Sequence, residues 1–218
     1  MNIDDPNQFD TVFLLGPSHH TNIKTCALTQ FTSLETPLGD LQVDQEIVTM
    51  LRDSGRFSHF SRSCDELEHS LEMHLPMVKH LFSQSVTPPK IVPIVVGSLT
   101  RLCEIDYAKI LAPYMADERT LFIISSDFCH WGDDFDFTPY ENLKQDLNEE
   151  WTPIWEFVQA LDMAGIELIE SGDHEGFYRY CEETENTICG RHPIGILLAM
   201  LQSKSVDQVY QTELVSYD

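Results

Sequence analysis

One loop of the chain combines an acid, a thiol and an imidazole. Residues 125–132 read SSDFCHWG and directly follow the apolar run at residues 121–124. Such a run predicts a buried strand of a parallel sheet, and ligands bind such sheets where the strands end. Asp127 and His130 are therefore candidates for catalysis, with His130 as the general acid or base and Asp127 as its orienting partner. A buried polar turn beside Trp131 is the alternative.

A second loop of the same kind follows the apolar run at residues 11–15. It reads GPSHH at residues 16–20, and the Gly-Pro pair favours a turn. Adjacent side chains in an extended loop point apart, so we expect one of the two imidazoles, that of His19, to face a site. Local hydrogen bonding by both His19 and His20 is the alternative.

Two further segments carry ionisable residues that could contribute to a ligand site. Residues 68–74 read EHSLEMH and offer Glu68 and His69, although a solvated polar helix face is the alternative. Residues 187–193 read TICGRHP and precede an expected helix start, where free backbone N–H groups favour anions. Cys189, Arg191 and His192 are the candidates there, with ordinary helix capping as the alternative.

Charge and cysteine content limit the partners and the compartment. The 36 acidic residues outnumber the 13 Lys and Arg, and the formal net charge of −23 repels nucleic acid and anionic membranes. The six cysteines form no C-x-x-C pair, which favours a reducing compartment. The apolar run at residues 194–201 is shorter than the ~20 residues of a membrane-spanning helix. We therefore expect a cytoplasmic protein without membrane insertion.

The apolar pattern predicts one α/β domain over residues 1–218, with a mostly parallel or mixed central sheet flanked by helices. Strands are expected at residues 11–15, 91–96 and 121–124, and one more could lie at 206–215. Helical spacing marks residues 43–51, 65–82, 154–169, 177–181 and 193–201. We expect a break just before Pro76. The acidic residues 133–150 indicate a surface excursion.

Five blocks of this sequence resemble the Memo family, the mediators of ErbB2-driven cell motility. They are GPSHH at 16–20, ETPLG at 35–39, EHSLEMHLP at 68–76, SSDFCHWG at 125–132 and NTICGRHPIG at 186–195. The resemblance implies an α/β fold similar to that of the class III extradiol, non-haem iron dioxygenases. It also implies a pocket that binds iron or copper and docks phosphotyrosine or acidic peptides of receptors. By motif, His19 resembles a metal ligand and His130 the acid–base residue.

Family members also carry segments that residues 1–218 do not show. These are an upstream strand whose histidine is another ligand, and a later segment with a cysteine ligand, whereas this sequence has no Cys after Cys189. The resemblance therefore implies weak binding of iron or copper. It leaves three hypotheses: a signalling adaptor, a metal-dependent redox enzyme, and an incomplete or decayed homologue. In the family, the upstream segment forms part of the surroundings of the strand at residues 11–15. Without that segment we expect an open sheet edge beside the strand, and possible self-association.

Overall fold

A five-stranded sheet forms the centre of the protein in the computed structural model, which describes residues 3, 5–139, 153–203, 206 and 210–217. Its strands are β1 (Thr11–Pro17), β2 (Cys26–Leu28), β5 (Ser58–His59), β6 (Lys90–Val96) and β7 (Thr120–Ile124). They lie in the order β5-β2-β6-β1-β7. All neighbours are parallel except β2 and β6, so the sheet is mixed. A separate hairpin pairs β3 (Ser33–Leu34) with β4 (Leu41–Gln42).

Helices cover the sheet and join its parallel strands. The described helices are α1 (Gln45–Asp53), α2 (Arg62–Asp65), α3 (His69–Glu72), α4 (Leu75–Leu81), α5 (Arg101–Met115), α6 (Ile154–Glu170), α7 (His174–Thr184) and α8 (Arg191–Leu201). Short 3₁₀ turns lie at Pro6–Gln8 and Asp133–Phe135. No helix in the described part of the chain is both long and apolar enough to cross a membrane.

All three predicted apolar runs form strands, but β7 is less buried than its pattern predicts: it is an outer strand, and Ile123 alone of its five residues is buried. Six of the seven residues in β1 and in β6 are buried, because helices cover both faces of the sheet there. A second apolar cluster, around Phe177, Ile188 and Leu198, packs α7 and α8 together. The prediction of a single α/β domain with a mixed central sheet flanked by helices is confirmed.

The helix expected over residues 65–82 is divided into three pieces. The pieces are the end of α2, then α3, then α4. The chain leaves the helical conformation before α3 and again before α4, and Pro76 lies in the first turn of α4. The expected break before Pro76 is thus confirmed, because a proline ring fits a first helical turn but not a helix interior. The break before His69 was not predicted.

Two expectations about the sheet were wrong. We expected an open edge beside β1, but β6 and β7 pair with β1 on its two sides. The physical reason is that later strands of the chain itself supply both neighbours. Within the described residues the outer strands are β5 and β7 instead, so self-association stays a prediction without its original basis. The strand that could lie at residues 206–215 is not found, because none of the described residues there lies in a strand. Residues 207–209 are outside the described part of the chain. Residues 140–150 of the expected acidic surface excursion are outside it as well.

Candidate functional site

The strands β1 and β7 deliver their two polar loops to the same edge of the sheet. They are parallel neighbours, and Leu15 lies opposite Ile124 at their carboxyl ends. The backbone N–H of Ser125 donates to the carbonyl of Leu15 at 2.8 Å, so the pairing continues into the loop. The His19 loop and the Asp127 loop therefore leave from adjacent positions, as the sequence predicts.

Helix α3 is held tightly against the end of β1. The Ser70 hydroxyl donates to the carbonyl of Pro17 at 2.7 Å. A Cβ atom on Gly16 would lie 2.8 Å from the Leu71 and Ser70 side chains, so only glycine permits this close approach. The contact brings the residues that begin α3 directly to the His19 loop.

Glu68 connects the beginning of α3 to His19. Its Oε2 accepts from the backbone N–H of His19 at 2.7 Å, and its Oε1 lies 2.9 Å from Nδ1 of the His19 ring. Oε1 also accepts from the N–H of Ser70 at 3.1 Å, which caps α3. Burial raises the pKa of the Glu68 carboxyl, but the hydrogen bonds from His19 and Ser70 outweigh it and the net pKa is lowered. The carboxyl is therefore ionised near neutral pH.

His69 completes a group of three possible metal donors. Its ring stacks on that of His19 with centroids 4.4 Å apart, and its Nδ1 lies 4.0 Å from Oε1 of Glu68. One donor atom each of His19, Glu68 and His69 lies within 4.8 Å of the others, and no other such group occurs among the described residues. His20 is exposed and touches the group only through its ring edge, 5.9 Å from the His69 ring.

The surroundings of this group are acidic. A cavity of about 360 Å³ lies beside Glu68, with Leu71 and Leu75 on its apolar side. Its lining includes five carboxylates, those of Glu35, Asp65, Glu66, Glu68 and Glu72. The negative potential favours a cation in the cavity beside Glu68.

The ring of His130 is fixed by the segment that precedes α8. Its Nδ1 lies 2.9 Å from the carbonyl of Thr187, and its backbone N–H donates to the Thr187 hydroxyl at 2.6 Å. Nε2 is 3.8 Å from Oδ2 of Asp127, which is too long for a hydrogen bond. Phe135 packs against the ring at 4.9 Å. His130 and Asp127 thus lie together, and neither belongs to the group around His19.

Cys189 ties the same segment to the Asp127 loop. Its thiol accepts from the backbone N–H of Asp127 at 3.1 Å, and its own N–H donates to the Asp127 carbonyl at 3.2 Å. The N–H of Gly190 donates to the Ser126 hydroxyl at 3.0 Å. Burial raises the pKa of the Cys189 thiol, so this residue is better suited to hold the loop than to bind a metal.

The side chains of Arg191 and His192 are both paired with carboxylates of the chain itself. Arg191 pairs with Glu182 at 2.7 Å. Nδ1 of His192 lies 2.7 Å from Oε1 of Glu104, whose Oε2 lies 2.8 Å from Nε2 of His174. The Glu104 side chain is 2% exposed, and so the carboxyl is enclosed by two imidazoles. Binding of an external ligand by Arg191 and His192 stays a prediction.

Glu104 and Asp162 are buried acids that the sequence did not single out. Oδ1 of Asp162 accepts from the backbone N–H of Cys129 at 3.2 Å and from the amide of Asn186 at 3.0 Å. Tyr217 donates to its Oδ2 at 3.0 Å. Through the bond to Cys129, Asp162 holds the loop that carries His130 in place. The signal that could have found both acids is an acidic residue between apolar residues on the inner face of a helix.

Comparison with known proteins gives the family. The family model for Memo-like proteins matches residues 1–218. Protein MEMO1 of Danio rerio is 42% identical over 206 residues, which cover 93% of this chain and 67% of the relative. Protein MEMO1 of Homo sapiens is 40% identical over 194 residues, 89% of this chain and 63% of the relative. The memo-1 homologue of Caenorhabditis elegans is 44% identical over 190 residues, 87% of this chain and 52% of the relative.

The matches cover nearly all of this chain, but the chain spans only about half to two thirds of the length of these curated relatives. The mixed sheet agrees with the extradiol dioxygenase-like fold of the family. A match of this extent and identity leaves one assignment: this chain belongs to the Memo family.

Proposed function

We propose that this protein is a Memo-type signalling protein of the cytoplasm whose pocket at the carboxyl edge of the sheet binds iron or copper. The observation that carries the proposal is the group of His19, Glu68 and His69, whose donor atoms lie within 4.8 Å of one another. Two of these residues come from a segment 49 positions away from His19, and the fold brings them together.

The donors fit a transition-metal ion. Imidazole nitrogens bind both iron and copper, and two imidazoles are stacked here at the surface. The acidic cavity beside Glu68 favours a cation over an anion. When bound, iron or copper would supply redox or Lewis-acid chemistry at this edge. The chain's own part is to hold His19 rigidly against α3, through the two contacts of Glu68.

Metal titration tests this proposal. We expect Fe²⁺ or Cu²⁺ to bind residues 1–218 weakly, because the group offers few free donors. The expected stoichiometry is about one ion per chain, because the described residues contain one such group. His19→Ala should lower the affinity at least about tenfold, because it removes one imidazole donor. Isothermal titration calorimetry with each ion, under anaerobic conditions for Fe²⁺, measures both quantities.

His59→Ala is the matched control for the metal titration. His59 is an exposed imidazole on β5, away from the His19 loop, so its loss should leave the affinity unchanged. Tight stoichiometric binding that persists in His19→Ala would show that the metal pocket lies elsewhere.

The signalling part of the proposal is that a phosphotyrosine or acidic receptor peptide docks at the same edge. The family supports it, while the net charge of −23 opposes an anionic ligand. A bound metal ion would supply the missing positive charge. We therefore expect a phosphotyrosine peptide to bind several-fold more tightly in the presence of Fe²⁺ or Cu²⁺, as measured by fluorescence anisotropy.

His19→Ala should abolish the effect of the metal on peptide binding, while the unphosphorylated peptide serves as the matched ligand control. Equal binding of the phosphopeptide with and without metal would separate the two parts of the proposal. In that case the metal pocket would not be the docking site.

A metal-dependent redox enzyme is the second candidate, and the geometry of His130 favours it. A ring fixed through Nδ1 to the Thr187 carbonyl carries its proton on that nitrogen. Nε2 is then the basic atom, beside the carboxylate of Asp127. This is the arrangement of a general base whose ring is oriented by the Thr187 carbonyl, with the Asp127 carboxylate nearby.

A further inference from the structure

We infer that Glu68 is a positioning residue: it fixes the tautomer of His19, so that Nδ1 carries the proton and Nε2 is the free donor. The inference deepens the proposed metal pocket and rests on it only for its consequence, since the tautomer is a property of the metal-free chain. The metal donors of the group are then the two imidazoles of His19 and His69, and Glu68 supports one of them without being a ligand itself.

The hydrogen bonds of Glu68 leave its carboxylate little capacity for a metal. A carboxylate has about four lone-pair sites. Oε1 uses two of them, for Nδ1 of His19 at 2.9 Å and the N–H of Ser70 at 3.1 Å, and Oε2 uses one for the N–H of His19 at 2.7 Å. The side chain is also 0% exposed. One lone-pair site of Oε2 is left, on a carboxylate that is closed to solvent.

The same bonds decide which nitrogen of His19 is protonated. Both oxygens of Glu68 already accept from backbone N–H groups, so the carboxyl acts as an acceptor and the ring atom that faces it at 2.9 Å carries the proton. The bond from the backbone N–H of His19 to the same carboxyl prevents the loop from turning the ring away. Among the described residues, no hydrogen bond uses Nε2 of His19, and the side chain is 30% exposed.

Stacking on His69 makes the orientation more specific. The two rings are nearly parallel, at 20° with centroids 4.4 Å apart, so the His19 ring is restrained on its face as well as at its edge. A carboxylate that accepts from one nitrogen of a histidine is the usual support for metal binding through the other nitrogen. We therefore assign Nε2 of His19 as the donor atom.

Glu68→Ser tests the assignment with the fold preserved. Serine is a good helix N-cap and can still accept from the N–H of Ser70, but it is too short to reach the His19 ring. We expect long-range ¹H–¹⁵N correlation spectra of the metal-free protein at pH 8 to show the Nδ1–H tautomer of His19 in the wild type. In Glu68→Ser the spectra should show a mixture of tautomers. His19→Ala identifies the signals.

Metal affinity gives a second measurement. Glu68→Ser should weaken binding of Fe²⁺ or Cu²⁺ about 10- to 100-fold, as expected for loss of a supporting carboxylate. Glu72→Ser is the matched control, because Glu72 is an exposed acid of the same short helix that lines the same cavity. It should change neither the tautomer nor, beyond a few-fold, the affinity.

Three outcomes would overturn the inference. One is the Nε2–H tautomer in the wild type, which is decisive even if Glu68→Ser fails to fold. Another is an unchanged Nδ1–H tautomer in Glu68→Ser. The third is complete loss of metal binding without a change of tautomer, which would make Glu68 a direct ligand. A wild type that shows the Nδ1–H form but binds no metal would refute the proposed function alone.

Discussion

Glu104→Ala is expected to lower the free energy of unfolding by about 2 to 6 kcal/mol, because two buried imidazole nitrogens would each lose a hydrogen-bond partner at about 1 to 3 kcal/mol. The two oxygens of the Glu104 carboxyl accept hydrogen bonds from the imidazoles of His174, at 2.8 Å, and His192, at 2.7 Å. These bonds join helices α5, α7 and α8. Loss of the carboxyl would remove the hydrogen-bond partner of Nε2 in His174 and of Nδ1 in His192. Urea denaturation followed by circular dichroism measures the change.

The control for Glu104→Ala is Glu175→Ala. Glu175 pairs with Arg101 at 3.2 Å but is 60% exposed, and surface pairs of this kind contribute about 0 to 1 kcal/mol. Similar losses in the two variants would contradict a special role for the buried group. A double-mutant cycle with His192→Ala should give a coupling energy of about 0.5 to 3 kcal/mol, as for residues in contact.

Gly97→Ala is expected to be the most disruptive single-methyl change, with a loss of about 3 kcal/mol or more. A Cβ atom at this position would lie 2.2 Å from the carbonyl oxygen of Ile23. That oxygen accepts from the N–H of Ser98 at 2.9 Å, and the N–H of Gly97 donates to Thr25 at 3.1 Å. The backbone therefore cannot move apart without breaking the junction of β2 and β6.

Gly55→Ala separates this steric effect from backbone strain. Gly55 has a φ of +71° but nothing within 4 Å of its Cβ position. Its replacement should cost only the penalty of the left-handed conformation, about 1 to 2 kcal/mol. Thermal melts of both variants beside the wild type give the comparison. A smaller loss in Gly97→Ala than in Gly55→Ala would mean that the close approach to Ile23 relaxes easily.

The sequence was most informative where burial is continuous. The apolar runs of β1 and β6 predicted their strands, because a strand covered on both faces has no polar positions to interrupt the pattern. The run of β7 predicted its strand as well, but that strand lies at the outside of the sheet and only one of its five residues is buried. The strand β2 was missed, although Cys26, Ala27 and Leu28 are all buried. Three residues give too short a pattern, and the strand exists through its antiparallel pairing with β6.

The candidate site was predicted in its parts but not in its arrangement. Helical spacing marked residues 65–82 as one helix, whereas Glu68 is the N-cap of α3 and faces His19. The direction of a cap depends on where the helix begins, which the pattern did not show. His192 was expected to face a ligand, but the partner that holds it, Glu104, is 88 residues away in the chain and only the fold reveals it.

The strand order also sets a sequence of events during synthesis. His19, Glu68 and His69 all belong to the first third of the chain, but β1 and β2 are not neighbours: β6 must insert between them, and β7 must pair beyond β1. Asp10 and Arg119, whose side chains pair at the start of these strands, are 109 residues apart. Contacts this distant form late and slowly. A nascent chain therefore exposes the imidazoles of His19 and His69 before the strands on either side of β1 exist to support them.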